Sequence, residues 1–257
     1  MAVHLVSPWN TEASQPQLPR FGPDGQPPES PQLGGRLSDD LNAAMEELFQ
    51  LCTALDIPIL SHAAASNGAG PHYSDRGDPA FWLPALVKYP TLRLCLAHFG
   101  RFTYRSAAAE QDSSLPESSW EWTLGRYMKS NREGRLFADL SYLTEAQTSD
   151  ADSRRKLGRQ MRQYISEFDP KLERLLYGSD WIMLGKEPRN ESFATDIVRF
   201  LKSEVGLTLP TMERVLRSNA IRFLGLTPGN ATRARLTSFY KRHDMNPQRL
   251  EVFDATI

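Results

Sequence analysis

The feature that most constrains the fold of this chain is a repeated alternation of short apolar runs with amphipathic stretches. Apolar runs begin near residues 57 (IPILSH), 92 (LRLCLA), 136 (LFADLS) and 174 (RLLYG), so the gaps are 35, 44 and 38 residues. Hairpins would bring strands much closer together, whereas strand–helix–strand crossovers need roughly 30 residues or more. Helical spacing fills the gaps: 39–56, a stretch over 78–89 that Pro84 bends or breaks, 119–131 and 150–168. Further helices are predicted near 190–205, 209–224 and 231–242, with the last dozen residues loosely held. Apolar strands alternating with amphipathic helices predict an α/β fold with a parallel sheet covered by helices.

The first 38 residues differ from the rest. They hold 7 of the 18 prolines and 4 of the 16 glycines, and only Val3–Ser7 (VHLVSPW) reads as a short strand. The remainder of 1–38 is read as loop. The division expected is therefore 1–38 as strand and Pro/Gly-rich loop, 39–226 as the main domain, and 227–257 as a helical tail.

Composition excludes several function classes. With 30 Lys+Arg against 31 Asp+Glu, a net charge of -1 gives no electrostatic reason to expect nucleic acid or an anionic membrane as partner. No apolar run approaches the roughly 18 residues of a spanning helix. Met1–Asn10 lacks the basic and apolar regions of a signal peptide, so a cytoplasmic location is expected. Cys52 and Cys95, the two cysteines, exclude a disulfide scaffold or a Cys-rich zinc site and are expected as buried small hydrophobes.

In parallel α/β folds chemistry gathers at the carboxyl ends of the strands. His62 follows IPILS, His98 follows LRLCLA, and Asp180 follows LLYGS. Two imidazoles and a carboxylate converging on one rim can bind a divalent metal and activate a water. Each residue also has a plainer reading: a histidine at a strand end can be a hydrogen-bonded loop residue, and an Asp after Gly-Ser can be a helix N-cap.

IPILSH, YPTLRLCLAHFG, RLFADLSYL and RLLYGSDW, followed by NAIRFLGL at 219–226, resemble the carboxyl-terminal half of the amidohydrolase-related family. That family comprises metal-dependent TIM-barrel enzymes and includes aminocarboxymuconate-semialdehyde decarboxylase. The resemblance covers roughly residues 39–226 and implies a (β/α)8 TIM-barrel-type fold. It implies His62 as the fifth-strand metal ligand, and His98 as the sixth-strand residue that polarises substrate or moves protons. Asp180 would be the eighth-strand aspartate that binds metal and takes the proton of a bound water. Zinc, or else manganese, is the implied metal. Trp181 would lie beside the pocket, and Arg101, with Arg105, could grip a substrate carboxylate, although packing and loop-charge readings of these residues stay open.

The family also supplies a His-x-His pair from its first strand, and none occurs among His4, His62, His72, His98 and His243. If IPILS is the fifth strand, VHLVSPW matches the fourth, with His4 where a lysine commonly stands. The expectation is thus an incomplete barrel of about strands four to eight, whose open edges favour a homo-oligomer or a complementing chain. His72 falls in a Gly/Pro/Asp-rich loop and His243 in the tail, so both read as loop or solvent residues. The implied activity is metal-activated hydrolysis of a small organic acid or amide. The alternatives are a decarboxylase of the same family and a truncated, non-catalytic scaffold for interaction.

Overall fold

The computed structural model describes residues 4–5, 29–30, 35–64, 77–99, 117 and 119–254, with side chains from residue 42 onward. Among them a five-stranded, all-parallel sheet is built from β1 (His4–Leu5), β4 (Ile59–His62), β5 (Leu94–Ala97), β6 (Leu136–Asp139) and β7 (Leu175–Leu176), in that spatial order. Each strand lies beside the one preceding it in the sheet. This is the winding of a β/α-barrel wall, whereas doubly wound sheets reverse their order. The other two strands, β2 (Glu29–Ser30) and β3 (Gly35–Arg36), form a small antiparallel pair within the stretch read as loop. Two-residue strands carry no periodic pattern, so sequence gives no sign of them.

The helices follow the predicted alternation: α1 (Leu37–Ala54), α2 (Leu83–Lys88), α3 (Trp120–Ser130) and α4 (Ala151–Phe168). Pro84 sits in the first turn of α2, where a missing N–H costs nothing, and a 3-10 turn at Pro79–Trp82 precedes it. Beyond β7 come α5 (Trp181–Leu184), α6 (Phe193–Ser203), α7 (Leu209–Glu213), α8 (Asn219–Leu224) and α9 (Ala231–Arg242). A π-helical turn, Arg214–Ser218, joins α7 to α8 where one continuous helix is predicted. Of the last dozen residues, those described, up to 254, are held more firmly than expected: Pro247–Phe253 forms a 3-10 helix, Leu250 is buried, and Asp254 pairs with Arg233. No helix among the described residues is long and apolar enough to cross a membrane.

Side chains alternate across the sheet. Ile59, Leu94, Leu96, Leu136, Ala138 and Leu175 point into the large core shared with the helices, alongside Phe49, Trp82, Leu124, Tyr164 and Phe200. Leu60, Cys95, Phe137 and Leu176 form a second cluster, completed by Phe223 of α8. Cys52 and Cys95 are both buried, as expected of them. The outer edge of β7 is bonded by the chain itself. Tyr177 N–H donates to the Val215 carbonyl of the π turn (2.8 Å), and Leu175 O accepts from Asn219 Nδ2 (2.8 Å).

Candidate active site

The register fixes which residues meet at the carboxyl end of the sheet. His62 pairs with Ala97, and the Leu96–Ala138 pairing makes Ala97 the neighbour of Asp139. His62, Ala97 and Asp139 therefore form one transverse row. By alternation they share the face of Leu60, Cys95 and Phe137. His98 and Asp180 follow β5 and β7 at the same rim.

Backbone strain collects here. His98 (φ 66°), Phe99 (φ 41°), Tyr142 (φ 56°) and Asp180 (φ 51°) all adopt positive φ without being glycine. Such conformations cost of order 1–3 kcal/mol each and persist only where the surroundings over-determine them. Phe99 supplies that restraint beside His98: it is fully buried, edge-on against Tyr164 of α4 at 4.8 Å. Tyr142 O–H donates to the Glu187 carboxylate, which ties the loop after β6 to the one that follows Asp180 and α5.

Asp180 occupies the N-cap position of α5, yet its side chain makes no capping bond. Its carbonyl accepts the Met183 and Leu184 N–H groups (3.0 and 2.9 Å). The carboxylate is turned instead toward His98, with Oδ2 3.9 Å from Nε2. The N-cap reading thus holds for the backbone of Asp180 alone.

His98 is buried and held from behind. Its backbone N–H donates to Asp139 Oδ1 (2.9 Å), and its Nδ1 lies 3.1 Å from Ser141 O and 2.9 Å from Ser141 Oγ. Ser141 Oγ and N–H both donate to the same Asp139 oxygen. Gly178 makes room for this cluster: a Cβ there would fall 2.9 Å from Ser141 Cβ and 3.2 Å from the Asp139 carboxyl group. The His62 ring lies edge-on to His98, with centroids 5.0 Å apart, and its Nε2 is 2.8 Å from Ala64 O. A carbonyl only accepts, so that nitrogen carries the proton. One layer below, burial and the Asp139 charge push the Cys95 thiol well above its ordinary pKa, which disfavours a reactive thiolate.

Sequence reasoning thus named three residues that converge and missed Asp139 and Ser141, which orient one of them. The visible signal was the polar ending of LFADLS, at the position where β6 reaches the rim. Trp181 is 75% exposed beside Asp180. His4 lies in β1, and only its backbone is described. Arg101, Arg105 and His72 fall outside the described residues, and His243 is exposed against Phe239 in the tail.

Catalytic zinc takes three protein ligands and keeps a position open. Among the described residues no three His, Cys, Asp or Glu side chains are grouped to hold an ion, and His62 Nε2 is committed to a carbonyl. The described side chains by themselves do not fit the metal that the resemblance implies.

Two solved structures, both 17% identical, each cover 70% of this chain. One, carried under the provisional name 2-pyrone-4,6-dicarboxylic acid hydrolase from Pseudomonas putida, is covered over 56% of its length at a TM-score of 0.47. The other, an uncharacterized TIM-barrel protein from Bordetella bronchiseptica, is covered over 50% at 0.43. The chain thus spans about half the length of the solved structures it matches. No curated protein matches it. The family model for amidohydrolases matches residues 21–226, a segment that contains the whole run from β2 through α8, and on that match the chain belongs to the amidohydrolase family.

Proposed function

We propose that this chain is a hydrolase of the amidohydrolase family, acting on a C–N or C–O bond of a small organic acid or amide, with His98 and Asp180 as its reacting pair. The observation that carries the reading is the 3.9 Å separation of His98 Nε2 and Asp180 Oδ2 at the carboxyl rim of a parallel sheet. In the neutral ring, with its Nδ1 proton directed to Ser141 O, both facing atoms are acceptors. Two acceptors at that distance do not bond each other. They are arranged to share one proton, and a water or substrate O–H placed between them supplies it. In this reading Asp180 takes the proton of that water as general base and passes it to His98 Nε2, which returns it to the leaving group, so that both side chains end as they began.

The family resemblance implies a divalent metal, zinc or manganese, which would supply Lewis-acid activation of water, with His62 and Asp180 among its ligands. Since these two fall short of a ligand set, no step is routed through the ion here. In the same reading the described strands are the fourth to eighth of a (β/α)8 barrel, and a second copy or a complementing chain supplies further donors. Trp181 and Arg101 are the proposed substrate contacts, and the cytoplasm is the proposed location.

The test is turnover of a panel of small carboxylated amides and lactones, with acid release and carbon dioxide followed separately. Asp180→Asn and His98→Gln are each expected to lower the rate by about 10²-fold or more, the usual share of positioned acid–base catalysis. Turnover that survives both substitutions overturns the assignment. Carbon dioxide without hydrolysis identifies a decarboxylase. A second reading, a non-catalytic scaffold, draws on the missing His-x-His. It is upheld if the folded chain binds no metal and turns over nothing in the panel.

A further inference from the structure

The rim holds a group of side chains that sequence reasoning did not use, and hydrogen-bond bookkeeping assigns it a role. Ser141 Oγ lies 2.9 Å from His98 Nδ1, and Asp180 faces the opposite ring nitrogen at 3.9 Å. Taken as distances alone, this is the order of a serine nucleophile, its histidine base and an orienting carboxylate.

The donors and acceptors exclude that role. His98 Nδ1 is also 3.1 Å from the Ser141 carbonyl oxygen, which can only accept, so Nδ1 must carry a proton. A protonated Nδ1 cannot take a proton from the hydroxyl. The hydroxyl proton has a better acceptor in Asp139 Oδ1, at 2.5 Å. That oxygen collects three donors: Ser141 Oγ–H, Ser141 N–H and the backbone N–H of His98 itself. Asp139 is buried, and it grips His98 twice, once through the main chain and once through Ser141.

We infer that Asp139 and Ser141 are positioning residues that hold His98 as its Nδ1–H tautomer and so present an unprotonated Nε2 to the site. The inference deepens the reading of His98 and Asp180 as the reacting pair and rests on it for its functional meaning. The tautomer itself is a property of the chain without substrate. Neither residue touches the reacting atoms. Gly178 belongs to the same device, because its missing Cβ is what lets Ser141 and Asp139 close up behind the ring.

The experiment is long-range proton–nitrogen correlation on uniformly ¹⁵N-labelled protein, about two pH units above the ordinary histidine value so that the rings are neutral. The His98 signals are assigned by their loss in His98→Gln. The expected spectrum has His98 Nδ1 in the protonated nitrogen range and Nε2 in the unprotonated range. In Asp139→Ala, which loosens both grips on the ring, the two nitrogens should move toward each other as both tautomers become populated. Ser141→Ala, which keeps the carbonyl acceptor, should shift them less, and Ser141→Thr, which keeps the hydroxyl, should restore the wild-type separation. A wild-type His98 with its proton on Nε2 overturns the proposal, and this measurement needs no folded alanine variant. So does an unchanged spectrum in both alanine variants, or covalent labelling of Ser141 by a fluorophosphonate. The expected tautomer in a chain that turns over no substrate would sink the enzymatic reading while leaving this one standing. The opposite tautomer in an active chain would do the reverse.

Discussion

Both ends of the sheet bury charged side chains, and the two ends use them differently. At the amino end Arg93, 2% exposed, donates to Asp56 O (2.6 Å) and Thr232 Oγ1 (3.2 Å) and pairs with the Asp56 carboxylate at 3.0 Å. Arg135 meets the same carboxylate at 2.8 Å, Arg222 donates to Glu173 O, and Asp169 accepts the N–H groups of Glu173 and Arg174. Gly225, in the left-handed conformation that closes α8, lies directly on the Arg93 guanidinium, where a Cβ would collide at 2.2 Å. Each of these charged groups is bound to a fixed partner, so together they join α1, α8 and α9 to the strand starts. At the carboxyl end the fixed partners stop one atom short. His98 is anchored through Nδ1 and its backbone, and Asp180 through its carbonyl, which leaves Nε2 and the carboxylate facing each other beyond hydrogen-bonding distance. Charge engaged by its own chain is architecture, and in the proposed reading the pair left unbonded at the rim is what chemistry uses.

The contrast is broken most severely at the amino end. Arg93→Ala removes a buried cation that Asp56 shares with Arg135, and the Arg93 bonds to Asp56 O and Thr232 Oγ1, both of which keep Arg235 as donor. It should cost about 2–4 kcal/mol from the lost charged bonds and the space its stem leaves. Urea unfolding measures it, and a loss below about 1 kcal/mol would mean that this network does not hold the strand starts.

Asp196 sharpens the comparison, because it is a fully engaged charge near the opposite end. Burial pushes its carboxyl group up, but bonds from Gln147 and Ser192 and the charges of Arg189 and Arg199 outweigh it and leave the group below its ordinary pKa. A carboxylate lowered by folding stabilises above its unfolded value, about 4, and that contribution fades as pH falls through the folded value. Asp196→Asn should therefore cost about 1–3 kcal/mol near neutrality. The gap from wild type should narrow on acidification, as read from unfolding midpoints across an acid pH series. A gap that widens there would contradict the sign.

The smallest effect belongs to Trp181. At 75% exposure it contributes little to folding, and Trp181→Ala should change stability by no more than about 0.5 kcal/mol in the same unfolding assay. A larger loss would show that this indole is structural after all.

Much of this was legible in the chain. The strands at 94–97 and 136–139 announce themselves because each is buried on both faces, so no polar residue interrupts the apolar run until the rim, and 59–62, buried on one face, is announced by the apolar Ile57–Leu60. Helices α1, α3 and α4 are legible for the complementary reason, one buried stripe at helical spacing. His62, His98 and Asp180 could be named because a parallel strand delivers whatever follows it to a single rim. The π turn at Arg214–Ser218 was hidden, since one extra residue per turn barely alters an apolar pattern. The closing helix at Pro247–Phe253 was hidden as well: its hold is the buried Leu250, the bonds of Arg217 and Arg233 to the Val252 and Leu250 carbonyls, and the Arg233–Asp254 ion pair just after it, all contacts from outside the segment.

Asp139 and Ser141 show where reading along the chain stops. The sequence by itself determined which residues form strands and helices and which polar groups stand at strand ends, because periodicity and turn chemistry act over a few neighbours. Only the tertiary structure decided that Asp139 lies beside Ala97, that Ser141 meets the ring of His98, and that Gly178 leaves space for both. Those relations join residues some 40 positions apart, and they are fixed by sheet register and by the packing of side chains around the ends of neighbouring strands.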